Sequence, residues 1–403
     1  MMSLPLRSSP QPDPHALRAQ AAELLGALEA GVARGDLAEF YRVFRRTELP
    51  FLPVVYEGQP QPLFHHCFTL LHQLGSVSPA TALAVENHFY VSAAIATFPT
   101  EDDPLLDKRR HALLAAIGKG RWLVANTNSK VHGRALGAIG TVARRERGGF
   151  RITGQAAYTS LATQGDLLAF ITEIEGEGPA VFAIAPMQGN PGIEIGPYLF
   201  PSAMLDSDTR RITFRDLFVS EEGLVAGGPA SRTSQLFAFE MAWHQLLIPA
   251  LYLGAAARAI EEVRRFLRGT VGRDDRPLAE LDGMVIDVGR LVLDYESACT
   301  VVRYAGEQLA TVRRLPRDSE PLQRALNLAS AAKYTGTRCA EQVVTAARRI
   351  VGARAFAGGH PLERLSAEVM FGSLGPEVSA VIERRYGRDA LADRPFVELG
   401  GGS

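Results

Sequence analysis

The chain of 403 residues has 43 lysines and arginines against 44 aspartates and glutamates, and 46% of its residues are hydrophobic. This length is enough for a large core that is divided into two or three subdomains. A net charge of -1 provides no field of one sign that would recruit nucleic acid or an anionic membrane surface.

The cysteines and the apolar stretches exclude further classes of protein. Cys67, Cys299 and Cys339 lie far apart in the chain and show no spacing that is typical of a metal site. An odd number of cysteines favours reduced thiols and therefore a cytoplasmic location. The longest apolar stretch, residues 246–257, contains Pro249 and is too short to span a bilayer. The sequence therefore predicts no bound metal and no membrane segment.

The N-terminal part of the chain has the spacing of amphipathic helices. Residues 1–14 are rich in proline and serine and predict a disordered leader, whereas residues 15–121 predict a helical domain. The first apolar stripe of this domain consists of Leu17, Ala21, Leu24, Leu25 and Leu28. The four prolines between positions 50 and 62 predict a loop, and Ser78 with Pro79 predicts the start of another helix.

The pattern changes in residues 122–230, where short apolar runs alternate with turn residues. Gly148 and Gly149 predict a hairpin turn, and no long helical stripe interrupts the strands. This zone therefore predicts an antiparallel β-domain. In residues 231–392 the helical period returns in segments of about 30 residues, which suits a close-packed bundle of four long helices. Residues 393–403 predict a loose tail. The predicted fold class is α+β, mainly α.

Two segments of the middle zone resemble a known family. Residues 149–160 read G-F-R-I-T-G-Q-A-A-Y-T-S, and residues 211–225 read R-I-T-F-R-D-L-F-V-S-E-E-G-L-V. Together they resemble the central β-domain of the acyl-CoA dehydrogenase superfamily, and the resemblance extends over roughly residues 60–390. It implies the fold of that superfamily, with an N-terminal helical domain, a β-domain and a C-terminal helical bundle. It also implies a flavoprotein with FAD as its cofactor.

The resemblance implies which residues contact the flavin ring. Tyr158, Thr159 and Ser160 occupy the place of the family's W-I-T tripeptide, beside the isoalloxazine. An aromatic ring and two hydroxyls there would keep hydrogen-bond donors near flavin N5 and O4, where electron density changes during the redox cycle. Asn126, Thr127 and Asn128 stand at the family's T-E-P-G-A-G-S-D loop and are expected at the pyrimidine edge of the flavin.

A second group of residues resembles the family's nucleotide contacts. The segment 268–272, R-G-T-V-G, is similar to the R-x-T-F-G that reaches the FAD pyrophosphate of a neighbouring subunit. Arg268, Thr270 and Gly272 are therefore expected at the pyrophosphate, and the resemblance implies a homodimer or homotetramer. An arginine and a hydroxyl suit a diphosphate by charge and geometry. Gly352 is the one glycine that remains of a second motif, G-G-x-G.

Three residues are candidates for catalysis. Dehydrogenation of an acyl-CoA needs a carboxylate base, and the usual position of that base in the family lies next to Glu377. Some relatives place the base on the first bundle helix, where this chain has His244. His88 lies where the monooxygenases of the same fold can carry an active-site histidine.

Three functions remain open at this point. The first is an FAD-dependent acyl-CoA dehydrogenase-like oxidoreductase of fatty acid metabolism, acting on acyl-CoA or another acyl thioester with an electron-transfer flavoprotein as partner. The second is a two-component monooxygenase of the same fold, which would use FMN and receive reduced flavin from a flavin reductase. The third is a non-catalytic relative that binds flavin or an acyl ligand. None of the three requires nucleic acid or a membrane.

Overall fold

The computed structural model describes residues 12–100, 103–127, 140–227, 230–272, 275–312 and 320–392. Six α-helices come first among these described residues. They are α1 (Pro14–Arg34), α2 (Ala38–Arg46), α3 (Leu52–Val55), α4 (Pro60–Gly75), α5 (Pro79–Thr97) and α6 (Pro104–Gly120). The apolar stripe that the sequence predicts on α1 is confirmed, because Leu17, Ala21, Leu24 and Leu28 are buried there.

Polar caps and prolines set the positions at which these helices begin. The Ser78 side chain accepts a hydrogen bond from the Thr81 N–H at 3.1 Å, and Pro79 opens α5, as the sequence predicts. The prediction of a loop at the four prolines is wrong, because α3 contains Pro53 and α4 begins at Pro60. Proline is tolerated in the first turn of a helix, since its missing N–H would have no helical partner there.

The described residues in the middle of the chain form a single sheet of eight strands. They are β1 (Val124–Thr127), β2 (Thr141–Glu146), β3 (Gly149–Thr159), β4 (Leu167–Ile174), β5 (Gly178–Ile184), β6 (Ile193–Tyr198), β7 (Arg210–Ser220) and β8 (Leu224–Ala226). Seven of them follow the order β6-β7-β3-β2-β4-β5-β8, and β1 pairs with β4. Gly148 adopts a φ of 84° in the turn between β2 and β3, a conformation that glycine reaches without strain.

Most strand pairs in the sheet are antiparallel, as the sequence predicts. The exceptions are β1 and β2, which both pair with β4 in parallel. The parallel pairing of β2 with β4 arises because β4 lies on the side of β2 opposite to β3, so the chain passes across the end of β2 between β3 and β4. One face of the sheet holds a separate aromatic core, in which Phe170 contacts Phe182 and Phe214.

Long helices follow the sheet. They are α7 (Ala230–Gly269), α8 (Asp282–Ala310) and α9 (Glu320–Val351), and the shorter α10 (Pro361–Glu368), α11 (Phe371–Leu374) and α12 (Ser379–Ala390) pack against α9. The predicted fold class is confirmed: helices, then a mainly antiparallel sheet, then long helices. The domain boundaries given above stay predictions. In the part of the chain that the structure describes, every helix is too short or too polar to cross a membrane.

Candidate functional site

Helix α5 lies at the centre of the molecule and is buried on nearly all sides. It nevertheless carries five polar side chains within seven residues: Glu86, Asn87, His88, Tyr90 and Ser92. Burying polar groups costs free energy unless each one finds a hydrogen-bond partner. The partners of these side chains therefore show what each residue does, and several of them lie on β1 and α7.

His88 has both ring nitrogens occupied by the backbone. Its Nδ1 accepts a hydrogen bond from the Val124 N–H at 2.9 Å, and its Nε2–H donates to the Pro50 carbonyl at 2.7 Å. Burial lowers the pKa of His88 to about 4, so the ring is neutral at physiological pH. These contacts favour a structural role in which His88 joins β1 to α5, and the catalytic role predicted for it stays a prediction.

His244 forms a buried pair with Glu86. His244 Nδ1 lies 3.0 Å from Glu86 Oε1, and the two residues are 8% and 0% exposed. Burial raises the pKa of Glu86, and the neighbouring His244 opposes that shift. His244 Nε2 and Glu86 Oε2 are both buried without a hydrogen-bond partner among the described residues. Such unpaired polar atoms are rare in native structures, and each needs an explanation such as a catalytic role or a bound water or ion.

Asn126 connects this pair to the sheet. Its Oδ1 accepts a hydrogen bond from the Tyr90 hydroxyl at 2.7 Å, and its Nδ2 donates to Glu240 Oε1 at 3.0 Å. The Tyr90 ring lies 4.8 Å from the ring of His244. The amide of Asn126 therefore anchors β1 to α5 and α7, which disfavours the flavin contact that the sequence predicted for it.

Thr127 and Asn128 are the other two residues predicted at the pyrimidine edge of the flavin. Thr127 is buried, and its hydroxyl donates a hydrogen bond to the Ala157 carbonyl at 3.4 Å. This contact places the end of β1 beside the end of β3 and the predicted flavin face. Asn128 lies outside the described residues, so its contact stays a prediction.

The end of β3 carries the residues predicted beside a flavin ring. Tyr158 has a φ of 62° and is stacked on Phe200, with their ring centroids 6.0 Å apart. Thr159 is fully buried, and its Oγ1 has no hydrogen-bond partner among the described residues. The hydroxyl of Ser160 is instead engaged with that of Thr209 at 2.9 Å. Of the two aliphatic hydroxyls in this segment, that of Thr159 is therefore the one without a partner among the described residues.

The predicted nucleotide contacts come together at the far ends of α7 and α9. Arg354 lies two residues after Gly352. Its guanidinium donates a hydrogen bond to the Thr270 hydroxyl at 3.4 Å. Gly352 has a φ of 69°, and a Cβ atom there would meet no heavy atom within 4 Å, so this backbone is open to close approach. Arg268 is exposed in the last turn of α7, and the N–H of Gly272 donates to the Arg276 carbonyl at 2.8 Å.

Glu377 is held by other charged side chains. Its Oε2 lies 2.8 Å from Arg385 Nη2 and 3.4 Å from the hydroxyl of Ser330. The Lys333 ammonium donates a hydrogen bond to the Glu377 carbonyl at 2.8 Å, and burial lowers the pKa of Lys333 to about 8. Ser330, on α9, also donates to Gln245 at 2.5 Å, which ties α9 to α7. The Arg385 guanidinium thus occupies the carboxylate of Glu377, and the role of Glu377 as base stays a prediction.

Sequence reasoning missed the partners of His244. Glu86 and Tyr90 contact the histidine, and Glu240 lies one helical turn before it on α7, buried and bonded to Asn126. The signal was present in two places. Glu86 is an acidic residue inside a largely apolar helix, which is unusual. Glu240 and His244 are four residues apart, a spacing that puts both side chains on one face of a helix.

Glu368 gives the protein a predictable dependence on pH. It ends α10, and its Oε2 accepts a hydrogen bond from the Ala80 N–H at 2.9 Å at the start of α5. Burial raises the pKa of Glu368 from 4.5 to about 7. Because the folded pKa lies above the unfolded value, this group contributes stability below pH 4.5 that is lost as the pH rises through 7.

We therefore expect the variant Glu368→Gln to gain stability relative to the wild type as the pH rises from 5 to 8, by up to about 3 kcal/mol. Urea unfolding at several pH values measures this difference. Glu363→Gln, on the exposed face of the same helix, is the matched control and should show a nearly constant difference. A constant difference for Glu368→Gln as well would contradict the raised pKa.

Comparisons with known proteins show which proteins the chain resembles. Residues 238–375 match the family described as acyl-CoA dehydrogenase, C-terminal domain. An isobutylamine N-hydroxylase from Streptomyces viridifaciens is 24% identical over 207 residues, which cover 49% of this chain and 53% of that protein. The chain therefore matches about half the length of this curated relative.

Two solved structures resemble nearly the whole chain. The dibenzothiophene monooxygenase TdsC from Paenibacillus sp. A11-2, in complex with FMN and indole, has a TM-score of 0.79 and 18% identity over 95% of this chain and 99% of its own. Butyryl-CoA dehydrogenase from Megasphaera elsdenii has a TM-score of 0.76 and 14% identity over 97% of this chain and 100% of its own. The resemblance drawn from the sequence is thus confirmed: residues 238–375 match the C-terminal domain of acyl-CoA dehydrogenases, and nearly the whole chain has the fold of butyryl-CoA dehydrogenase.

Proposed function

We propose that the protein is a flavin-dependent monooxygenase that receives reduced flavin from a separate reductase. The observation that carries this proposal is the buried pair of His244 and Glu86, with its unpaired Nε2 and Oε2 atoms. A histidine whose ring is held by a carboxyl group is suited to accepting a proton and passing it on. Monooxygenation needs such a group, because one oxygen atom of O2 enters the substrate and the other leaves as water, consuming two protons and two electrons.

The end of β3 fits the ring of a flavin. Thr159 supplies a buried hydroxyl without a partner, and Tyr158 supplies an aromatic ring beside it. The polar edge of a flavin ring would satisfy that hydroxyl, which otherwise costs free energy in the folded protein. When bound, the flavin supplies the two electrons and activates O2. Thr159 and Tyr158 hold and orient its ring, and the buried surroundings of His244 exclude water.

Residues near the ends of α7 and α9 fit the phosphate of the cofactor. Arg268 and Arg354 provide positive charge, and Thr270 provides a hydroxyl that lies 3.4 Å from the Arg354 guanidinium. The open backbone at Gly352 allows an oxygen to approach closely. The proposed cofactor is FMN. The proposed assembly is a homodimer in which these residues serve the flavin of the partner copy.

The comparisons support oxygen insertion as the reaction. One relative is named as an N-hydroxylase, and one similar structure is named as a monooxygenase and contains FMN. The contact between Glu377 and Arg385 also disfavours dehydrogenation through the usual family base. Oxygen insertion does not need a carboxylate base at position 377. The contact between Glu377 and Arg385 is therefore compatible with a monooxygenase.

Dehydrogenation of an acyl thioester is the second candidate, and one observation favours it. Glu240 is a buried carboxylate on the first bundle helix, one turn before His244. This is the helix on which some relatives of the dehydrogenases carry their base. In that case FAD would be the cofactor, and an electron-transfer flavoprotein would accept the electrons.

Flavin binding in two oxidation states separates the two candidates. An enzyme that receives reduced flavin must prefer it, since oxidised flavin would otherwise compete for the site. We expect reduced FMN to bind at least about tenfold more tightly than oxidised FMN in anaerobic equilibrium titrations, a difference of about 1.4 kcal/mol. We also expect butyryl-, octanoyl- and palmitoyl-CoA to leave bound oxidised flavin unbleached. Anaerobic bleaching by any of these thioesters would overturn the proposal in favour of the dehydrogenase.

A further inference from the structure

Helix α8 exposes large apolar side chains along one face. Its opposite face packs against α7 and α9 and is buried, for example at Leu291, Ala298 and Val302. The exposed residues, from 38% to 68% exposed, are Val285, Ile286, Val292, Leu293, Val301 and Tyr304. Together they are called the α8 stripe. A large apolar patch on a protein surface marks a site of contact with another molecule.

The stripe follows the period of the helix. Ile286, Leu293 and Tyr304 are separated by 7 and 11 residues, which are close to two and three helical turns. They therefore lie on one line, which is about 27 Å long at the rise of an α-helix. Leu293, the most exposed of the six at 68%, lies near the middle of this line. The stripe is thus long and continuous enough to receive a second helix.

The charged residues beside the stripe are arranged symmetrically about its middle. Asp282 and Arg303 are equally far from the midpoint between positions 292 and 293. Arg290 and Asp294 lie on either side of the same midpoint, at distances that differ by one residue. All four side chains are exposed. Each pair thus has a negative group on one side of the midpoint and a positive group on the other.

Two copies of such a helix complement each other. In a contact with two-fold symmetry, each residue of one copy meets its counterpart in the other, and the contact occurs twice. Antiparallel α8 helices with the axis at the midpoint bring Asp282 opposite Arg303 and Arg290 opposite Asp294. The Arg290 side chain is 72% exposed and lies 3.2 Å from Asp287 of its own helix, so its outer N–H groups can reach a carboxylate of the second copy.

The residues near the axis fit an apolar centre. Val292 and Leu293 of one copy would meet the same residues of the other. Glu296, the remaining charged residue on this face between positions 282 and 303, lies opposite Gly289, which has no side chain to meet it. An apolar centre with a polar rim is typical of protein interfaces. One helix face covers less than the roughly 800 Å² per partner of a standard interface, so the stripe forms the centre of a larger contact.

We propose that the α8 stripe binds the α8 stripe of a second copy of this chain, with the two helices antiparallel about a two-fold axis between residues 292 and 293. The charge pattern favours a second copy over a different protein, because only a partner with the same helix makes a self-complementary pattern useful. The inference goes beyond the proposed function, which names a homodimer but assigns no surface to it, and it does not depend on the reaction.

Sedimentation equilibrium of the flavin-free protein tests the surface. We expect the wild type to associate below about 50 µM and Leu293→Asp to weaken this association at least about a hundredfold, since two carboxylates would be buried on the axis. Leu105→Asp is the matched control and should associate like the wild type, because Leu105 is a 56% exposed leucine on α6. A monomeric wild type, or association of Leu293→Asp equal to that of the wild type, would overturn the inference.

Reversal of the charges tests the antiparallel arrangement. Arg290→Asp should weaken association about tenfold, because it places like charges opposite each other twice in the dimer. Asp294→Arg should have a similar effect for the same reason. The double variant exchanges the signs of both groups and should recover most of the wild-type affinity. A double variant that associates no better than the single variants would contradict the proposed pairing.

Failure of this inference and failure of the proposed function give different results. Association through α8 without a preference for reduced FMN keeps the surface and removes the monooxygenase. A monomer that prefers reduced FMN keeps the monooxygenase and removes both the α8 contact and the proposed homodimer.

Discussion

An alanine at position 254 is expected to destabilise the protein by about 3 kcal/mol or more, because α4 and α7 cross there with their backbones in contact. A Cβ atom on Gly254 would lie 2.0 Å from the His72 carbonyl oxygen, and one on Gly75 would lie 2.0 Å from the Leu251 carbonyl oxygen. Real Cβ atoms do not come within 3.0 Å of other heavy atoms, so the two helices must move apart. Urea unfolding of Gly254→Ala measures the cost.

Another helical glycine gives a control with the opposite sign. A Cβ atom on Gly289, in the middle of α8, would meet no heavy atom within 4 Å. Gly289→Ala should therefore stabilise the protein by about 0.5–1 kcal/mol through its better helix propensity. The double variant at positions 75 and 254 should cost less than the sum of the single variants, since one separation of the helices relieves both contacts. Similar stabilities for Gly254→Ala and Gly289→Ala would contradict the close backbone contact between α4 and α7.

The sequence predicts features that depend on neighbours in the chain. The cap at Ser78 and the stripe on α1 were predictable because hydrogen bonds and burial there follow from spacings of three and four residues. The contact of Gly254 with His72 was not predictable in this way, because it joins two helices that are far apart in the sequence. The prolines from position 50 onward were misread for another reason: proline signals a loop and a helix start equally well.

The same distinction applies to the candidate site. Tyr158, Thr159 and Ser160 are contiguous, so a resemblance could point to all three, although only the structure shows that Ser160 is engaged by Thr209. Glu86 and His244 lie 158 positions apart, and neither residue alone indicates a pair. A buried charge becomes interpretable only when its partner is known, and that partner is fixed by the packing of α5 on α7.

Replacing Thr159 by valine is expected to have opposite effects on stability and on flavin binding. Valine keeps the shape of threonine and removes a buried hydroxyl whose Oγ1 has no partner among the described residues. The flavin-free protein should therefore gain about 1 kcal/mol of stability, since an unpaired buried hydroxyl costs about that much. If Thr159 is the residue that meets the flavin ring, the affinity for FMN should fall about tenfold at the same time.

Thr172 distinguishes this expectation from a general effect of removing a hydroxyl. It is also fully buried with an unpaired Oγ1, but it lies in the middle of β4, away from the end of β3. Thr172→Val should gain similar stability and keep the affinity for FMN, as thermal unfolding and fluorescence titration would show. If both variants lost affinity for FMN, the loss would result from a change in the whole sheet and not from a contact between Thr159 and the flavin. Unchanged affinity in Thr159→Val would remove that residue from the proposed cofactor site, because the hydroxyl would then have no partner in either state.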